Sequence, residues 1–214
     1  MTPEKKKEQK KPKEQIKPPE LAAEKQRLRR QLLDLAKSLD ARGREDSDKR
    51  ILSRLADWQE YRRAKSLFLY VGLGWEIHTR PLILQALGAG KRIALPLCRE
   101  KGRMEARWVT SLAQLKPSAG PLKLLEPSPE CALALPEELG LLILPCLSCD
   151  FTGRRLGRGG GYYDRYLAAA RESGAPFITA ALCRELLLRP ELPAGSHDQS
   201  VDFVVWEKGI ADCR

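Results

Sequence analysis

The chain has 214 residues, which is enough for one well-buried domain and too few for two ordinary ones. Its residues are 43% hydrophobic and 31% charged, which is unlike a disordered chain, and no apolar stretch is long enough to span a bilayer. The formal net charge of +10 suits a nucleic-acid binder, but it suits equally an enzyme whose ligands are polyanions.

Residues 1–20 are predicted to form a disordered basic tail. Their lysines are interrupted by glutamates and prolines, a composition that cannot pack into a core, and they contain no apolar run typical of a secretory signal. Such a tail can bind nucleic acid, but it is more often only a solvated extension. We expect a cytoplasmic protein with a single domain over residues 21–214.

Two helices are predicted before the first strand. Leucines at near-helical spacing predict a helix over residues 21–39, and a second helix with an acidic first turn is predicted over residues 45–64. From residue 66 onward, short apolar runs predict strands, separated by segments that can hold helices. The runs cover residues 66–73, 92–97, 105–110, 139–147, 177–182 and 201–206.

The pattern within these runs indicates the fold class. Residues 66–73 and 139–147 are apolar at consecutive positions, as strands buried on both faces are. We therefore predict a single open three-layer α/β/α domain, Rossmann-like, with a mostly parallel sheet. Ligands of such folds bind beyond the carboxyl ends of the strands. The loops after these two runs, which contain Glu76 and a glycine-rich turn, are therefore the predicted site.

The glycine-rich turn is the stretch RRLGRGGGYYD, residues 154–164. Its glycines can aim several backbone N–H groups into one concavity, and a helix predicted to begin near Tyr162 adds the positive end of its dipole. Its three arginines carry forked donors that suit phosphate oxygens. The spacing matches neither a Walker A loop nor GxGxxG. We predict a polyanion cradle; the alternative is a flexible turn with solvated arginines.

Carboxylates lie close to this turn in the sequence. Asp164, one helical turn beyond the cradle, is well placed to hold Mg²⁺ that bridges to a nucleotide. Asp198 and Asp202, just before the last strand, could complete such a site or could form an Asx turn or cap. Glu76 can accept hydrogen bonds from the amino groups of a ligand ring.

Other polar residues receive simpler interpretations. Thr79 is predicted to be the N-cap of a helix over residues 80–87, and neither His78 nor His197 is assigned a catalytic role. The two tyrosines of the turn either pack in the core or offer a flat face to an aromatic ligand, and the sequence leaves both possibilities open.

Six cysteines are expected to be reduced thiols. Cys146 and Cys149 form a CxxC pair, which is found in redox and zinc sites. The pair lies at the end of an apolar strand, however, and no second CxxC or paired histidine completes a zinc site. We therefore do not predict a metal site there, and any redox role stays open.

Residues 144–167, LPCLSCDFTGRRLGRGGGYYDRYL, closely resemble the signature of the 5-formyltetrahydrofolate cyclo-ligase family, also called methenyltetrahydrofolate synthetases. Three further segments resemble the family in the same order: Lys25 with Arg29, residues 68–79 (FLYVGLGWEIHT), and residues 197–205 (HDQSVDFVV). A match across four separated segments is far more specific than a glycine loop alone.

The resemblance implies an ATP- and Mg²⁺-dependent reaction. In that reaction 5-formyltetrahydrofolate cyclises to 5,10-methenyltetrahydrofolate, with release of ADP and phosphate, through a phosphorylated formyl intermediate that N10 attacks. Positioning and charge neutralisation would be the main catalytic contributions. The implied protein acts on a small-molecule substrate as a monomer and needs neither nucleic acid nor a membrane.

The resemblance also implies roles for individual residues. Arg158 and Tyr162 are the catalytic candidates, and Asp164 and Asp198 the Mg²⁺ ligands, while the role of Asp202 stays open. The implied ATP contacts are Lys25, Arg29, Arg155, Leu156, Gly157, Arg158, Gly159, Gly160, Gly161, Tyr162 and Tyr163. The implied folate contacts are Arg29, Val71, Glu76, Arg158, Gly159, Gly160, Gly161 and Tyr162.

The chain departs from the family pattern at one position of the cradle. Some members carry a lysine where this chain has Gly160, so a cation needed there would have to come from Arg158 or Lys25. Two other classes of function stay open: a nucleic-acid-associated protein that uses its basic charge, and a different ATP-using enzyme on the same scaffold.

Overall fold

The computed structural model describes residues 18–118 and 123–214. The first helix begins at Pro18, so the last three residues of the predicted tail are helical and the rest of that tail lies outside the described residues. Within the described ranges, no helix is both long and apolar enough to cross a membrane.

The α-helices are α1 (Pro18–Ser38), α2 (Ala41–Asp57), α3 (Gln59–Arg63), α4 (Arg80–Gly88) and α5 (Tyr162–Glu172). The strands are β1 (Ser66–Phe68), β2 (Arg92–Cys98), β3 (Met104–Val109), β4 (Leu115–Pro117), β5 (Leu125–Pro127), β6 (Leu133–Ala134), β7 (Leu141–Pro145), β8 (Ser148–Cys149), β9 (Arg155–Leu156), β10 (Ile178–Leu182), β11 (Phe203–Trp206) and β12 (Gly209–Asp212).

Eight of these strands form one mixed sheet in the order β12-β11-β10-β7-β1-β2-β3-β6. The five central strands from β11 to β2 are parallel, and the pairs at the two edges are antiparallel. The predicted open α/β fold with a mostly parallel sheet is confirmed, and each of the six apolar runs contains a strand of this sheet.

The central strands are buried on both faces. Leu142 and Leu144 of β7 belong to a core cluster that includes Leu32 of α1 and Leu167 of α5. The intervening Ile143 belongs to a second cluster, on the other face, that contains residues of α2 and α4. Because side chains alternate along a strand, successive residues of β7 enter the two cores in turn. This explains why the run over residues 139–147 is apolar at consecutive positions.

The limits predicted for the second helix are wrong. It begins at Ala41 instead of residue 45, because the carboxylate of Asp40 caps it by accepting a hydrogen bond from the Gly43 amide at 2.6 Å. It ends at Asp57, where Trp58 adopts an extended conformation and packs edge-on against Phe203 at 4.7 Å between ring centroids. A tertiary contact therefore divides the predicted helix into α2 and α3.

Candidate active site

The glycine-rich turn joins the hairpin β8–β9 to α5, beyond the carboxyl end of β7. Gly159 and Gly161 have φ of 98° and 67°, values that residues with a side chain rarely adopt. Gly161 is the N-cap of α5, and no side chain in the described residues caps this helix end. The N–H groups of its first turn therefore stay available to a ligand, as the cradle prediction requires.

Helix α1 lies against one side of the turn and supplies two cations. The Arg29 Nε donates a hydrogen bond to the Gly157 carbonyl oxygen at 2.8 Å, and a Cβ at Gly159 would meet the Arg29 guanidinium carbon at 3.3 Å. One helical turn earlier, Lys25 pairs with the Asp198 carboxylate. The structure thus brings the two α1 residues of the family pattern to the glycine turn.

The turn itself contributes two arginines. The side chain of Arg155 is only 3% exposed and pairs with Asp164 at 2.7 Å between Nη2 and Oδ1. Its buried Nε has no hydrogen-bond partner among the described residues. Arg158 is more open to solvent and pairs with Glu76 at 2.9 Å between Nε and Oε1.

The third arginine of the turn does not join this group. Arg154 pairs with Glu191 at 3.1 Å and donates a second hydrogen bond to the Leu192 carbonyl, in the segment after β10. The prediction that all three arginines serve the cradle is therefore wrong for Arg154, because neighbouring residues of an extended segment point to opposite sides.

Glu76 is held by a tight loop between β1 and α4. Its Oε2 accepts a hydrogen bond from the Leu73 amide at 2.9 Å, and its own amide donates to the Leu73 carbonyl. Its Oε1 faces Arg158 across the site, and the Arg158 guanidinium also lies over the Trp75 ring, 5.2 Å from the centroid. Glu76 and the glycine turn, 82 residues apart in sequence, therefore form two walls of one site.

Thr79 does not cap α4 with its side chain. The fully buried hydroxyl instead donates to the Tyr70 carbonyl and accepts a hydrogen bond from the Gly72 amide at 3.2 Å. Thr79 is the N-cap residue of α4, as predicted, but its hydroxyl does not cap the helix and instead ties the two ends of the Glu76 loop together.

The aspartates divide into two groups. Asp164 Oδ1 accepts a hydrogen bond from the Gln199 amide at 3.1 Å, so Asp164 and the neighbouring Asp198 lie at the same corner of the turn. Asp202 lies elsewhere, directly before β11, where its carboxylate accepts two hydrogen bonds from Thr179. Because β10 and β11 are parallel, Asp202 is at the amino edge of the sheet, away from the cradle, and its contacts are structural.

Several other predicted contact residues are partly or fully packed in the cores. Leu156 is 2% exposed and its carbonyl accepts a hydrogen bond from Leu147, so its side chain supports the turn from within the core. Val71 packs against the second core cluster, on the α2 and α4 face. Tyr162 and Tyr163 are half-buried against the first cluster, and burial raises the pKa of the Tyr163 phenol well above its usual value.

Arg165 is a site residue that sequence reasoning missed. It donates to the Gly160 carbonyl at 2.5 Å and to the Gly102 carbonyl at 2.9 Å, and its guanidinium lies 5.8 Å from the centroid of the Tyr162 ring. The available sequence signal was its spacing: Arg165 lies four residues after Gly161, one turn into the helix that begins at the glycine turn. Arg165 connects the cradle to the turn between β2 and β3.

This structure has a mostly parallel sheet, with a glycine turn and several cations at its carboxyl edge. That arrangement is typical of α/β proteins that bind anionic ligands there. The model of the 5-formyltetrahydrofolate cyclo-ligase family matches residues 21–207. The chain therefore belongs to this enzyme family.

Individual relatives agree with this membership. The chain is 29% identical over 166 residues to a probable 5-formyltetrahydrofolate cyclo-ligase of Schizosaccharomyces pombe, a match that covers 72% of this chain and 81% of the relative. It is 26% identical to the mouse 5-formyltetrahydrofolate cyclo-ligase, with 86% and 94% covered. The solved structure of Aquifex aeolicus 5,10-methenyltetrahydrofolate synthetase is similar with a TM-score of 0.76 at 27% identity, covering 89% of this chain and 93% of that one.

Proposed function

We propose that this protein catalyses the ATP- and Mg²⁺-dependent cyclisation of 5-formyltetrahydrofolate to 5,10-methenyltetrahydrofolate, with release of ADP and phosphate. The observation that carries the proposal is the meeting of Arg158 with Glu76 at the glycine turn, in a chain that belongs to the cyclo-ligase family. This contact joins the glycine turn, which is the proposed phosphate-binding side of the site, to the Glu76 loop, which is the proposed folate-binding side.

The cradle is proposed to hold the phosphates of ATP. The N–H groups at the start of α5 and the glycine backbone of residues 157–161 are the uncharged donors, and Lys25, Arg29, Arg155 and Arg158 are the charged ones. The buried Nε of Arg155, which has no partner among the described residues, supports this assignment because a buried donor is costly when unsatisfied. Donors fixed in place before the ligand arrives need little reorganisation when charge develops.

Asp164 and Asp198 are proposed to hold Mg²⁺, and their donor atoms fit that ion. Among the described residues, the contacts of Asp164 fall on Oδ1 and those of Asp198 on Oδ2. The other oxygen of each carboxylate is free for a hard cation. When bound, Mg²⁺ would supply neutralisation of phosphate charge.

The proposed chemistry proceeds in two displacements. The formyl oxygen attacks the γ-phosphorus and ADP leaves, which gives a phosphorylated formyl group. N10 then attacks the formyl carbon, its proton is released, and phosphate leaves. Glu76 and Tyr162 are proposed to position the folate, and Arg158 to stabilise the negative charge on the transferred phosphoryl group. The activity is proposed to belong to a cytoplasmic monomer that needs neither nucleic acid nor a membrane.

The experiment that tests this proposal follows the absorbance of the methenyl product. Purified protein is mixed with 5-formyltetrahydrofolate and Mg²⁺, with and without ATP. Absorbance is expected to rise only with ATP, and one ADP is expected per product molecule. A folded protein that gives no absorbance change with ATP present would refute the proposal.

A further inference from the structure

Three cysteine side chains meet beside the cradle hairpin, although the sequence spacing pairs only two of them. Cys146 follows β7, Cys149 lies in β8 and Cys183 follows β10, and their sulfur atoms all lie within 4.8 Å of one another. In residues 18–118 and 123–214, this is the one group of three or more His, Cys, Asp or Glu side chains close enough to hold a metal ion. The parallel pairing of β7 with β10 brings Cys183 to the CxxC pair.

The sulfur positions are close to those of a thiolate metal site. Zn–S bonds of about 2.3 Å in a tetrahedral site place sulfur atoms roughly 3.8 Å apart. The Cys146 and Cys149 sulfurs are 3.4 Å apart, so small side-chain movements would suffice. Cys149 and Cys183 are 0% and 2% exposed and Cys146 is half-buried, so the ion would be held in a largely buried site.

A buried cation, Arg155, lies next to the Cys149 side of the cluster. Arg155 is opposite Cys149 in the antiparallel pair β8–β9, and residues opposite each other share a face of the hairpin. Three thiolates and one divalent ion carry a net charge of −1, which the neighbouring Arg155 guanidinium helps to stabilise in a buried site.

We propose that Cys146, Cys149 and Cys183 form a binding site for a thiophilic divalent metal ion of the zinc class. Binding releases the three thiol protons to solvent and leaves the fourth coordination position to water or another small ligand. Because Cys149 belongs to the hairpin that carries the glycine turn, the ion would tie that hairpin to the ends of β7 and β10. The bound ion would therefore stabilise the fold and the cradle together.

Cobalt is the probe of choice, because thiolate-to-Co²⁺ charge transfer reports directly on sulfur ligands. Co²⁺ is titrated into the full chain, reduced and without oxygen. One ion per chain is expected, with displacement by Zn²⁺. Cys146→Ser, at the half-buried position, removes a proposed ligand and is expected to weaken binding by more than about 100-fold. Loss of a residue that only hydrogen-bonds to a ligand typically costs about 10- to 100-fold. Cys98→Ser, also at a half-buried cysteine but outside the cluster, is the matched control and is expected to bind normally.

Thermal unfolding supplies the second measurement. Zn²⁺ is expected to raise the Tm of the wild type and of Cys98→Ser, but not that of Cys146→Ser, whose fold is verified by circular dichroism. The proposal is overturned if the folded, reduced wild type shows no charge-transfer band. It is also overturned if the band persists in both Cys146→Ser and Cys183→Ser, or if it is lost equally in Cys98→Ser. These outcomes are independent of cyclo-ligase activity.

Discussion

The side chain of Arg158 is 35% exposed, against 3% for Arg155, and Arg158 is the residue on which the proposed phosphate role can be tested most directly. It is positioned by Glu76 and by the Trp75 ring. We expect Arg158→Ala to lower kcat by about 100- to 1,000-fold, the usual cost of removing one preorganised donor to a developing negative charge. Steady-state measurement of ATP-dependent product formation gives the ratio of the wild-type kcat to that of Arg158→Ala.

The matched control is Arg154→Ala, four residues earlier in the same turn. Its ion pair with Glu191 lies away from the cradle residues, so kcat is expected to stay within about twofold of the wild type, as for surface changes that leave the site intact. Near-normal turnover by Arg158→Ala, or an equal loss in Arg154→Ala, would contradict the assignment.

The aspartates permit a second test on single residues. Asp198→Asn keeps the shape of the side chain but removes the charge, so we expect the Mg²⁺ concentration for half-maximal rate to rise at least about tenfold, because hard cations prefer carboxylate oxygens. Asp202→Asn should lower the Tm without this shift, since Asp202 binds Thr179 at the other edge of the sheet. A Mg²⁺ dependence that Asp198→Asn leaves unchanged would exclude Asp198 as a ligand.

Among the elements, the loop between β1 and α4 shows how backbone geometry positions a site residue. A Cβ at Gly72 would lie 2.0 Å from the Ile77 carbonyl oxygen, so any side chain there must displace the loop that holds Glu76. Gly72→Ala is expected to lower the free energy of unfolding by about 1–3 kcal/mol, the usual cost of overpacking, and to raise the KM for the folate. Denaturant unfolding and initial rates measure the two effects.

Gly88→Ala at the end of α4 is the corresponding control. A Cβ there meets no atom within 4 Å, and alanine favours helix, so stability should be unchanged or higher by up to about 1 kcal/mol. If Gly72→Ala were as stable as Gly88→Ala, with an unchanged KM, the close approach at Gly72 would have no role in holding Glu76.

Local sequence signals predicted the elements better than their ends. The apolar runs located six of the eight strands of the main sheet, because the central strands place alternating side chains in two cores and so leave few polar positions. The edge strands β6 and β12 lie outside these runs. The start of α2 was missed because Asp40 caps it earlier than the acidic residues suggested, and its end depends on the contact between Trp58 and Phe203. Thr79 occupies the N-cap position of α4 as predicted, but its hydroxyl bonds to the Glu76 loop instead of capping the helix.

The whole molecule should respond to its ligands as one cooperative unit. A ligand that binds only the folded state at 100 times its Kd adds about 2.7 kcal/mol to the free energy of unfolding. For a chain of this length that corresponds to a rise of roughly 5–10 °C in Tm. We expect this rise with ATP and Mg²⁺ together and a smaller one with ATP alone, measured by differential scanning calorimetry. Equal rises in Tm for Arg158→Ala and the wild type would indicate that ATP binds elsewhere on the protein.

The basic charge of the molecule is explained in part by this site. Among the described residues, five cations contact the glycine turn or the carboxylates beside it, and three of them pair with Glu76, Asp164 and Asp198. The five are Lys25, Arg29, Arg155, Arg158 and Arg165. A protein that only bound polyanions would gain nothing from three carboxylates beside its cradle, so the nucleic-acid hypothesis is disfavoured. Salt-dependent retention on RNA with no cyclo-ligase activity would reverse that preference.

By itself, the sequence determined the α/β class, six of the eight strands of the main sheet and the glycine turn with its family signature, because these depend on residues that are close together in the chain. Only the tertiary structure decided that Arg158 meets Glu76, that Asp198 lies beside Asp164 while Asp202 lies at the opposite edge, and that Cys183 joins Cys146 and Cys149. These contacts depend on strand order and direction, which are set by how the two cores pack over the whole sheet and which no local pattern encodes.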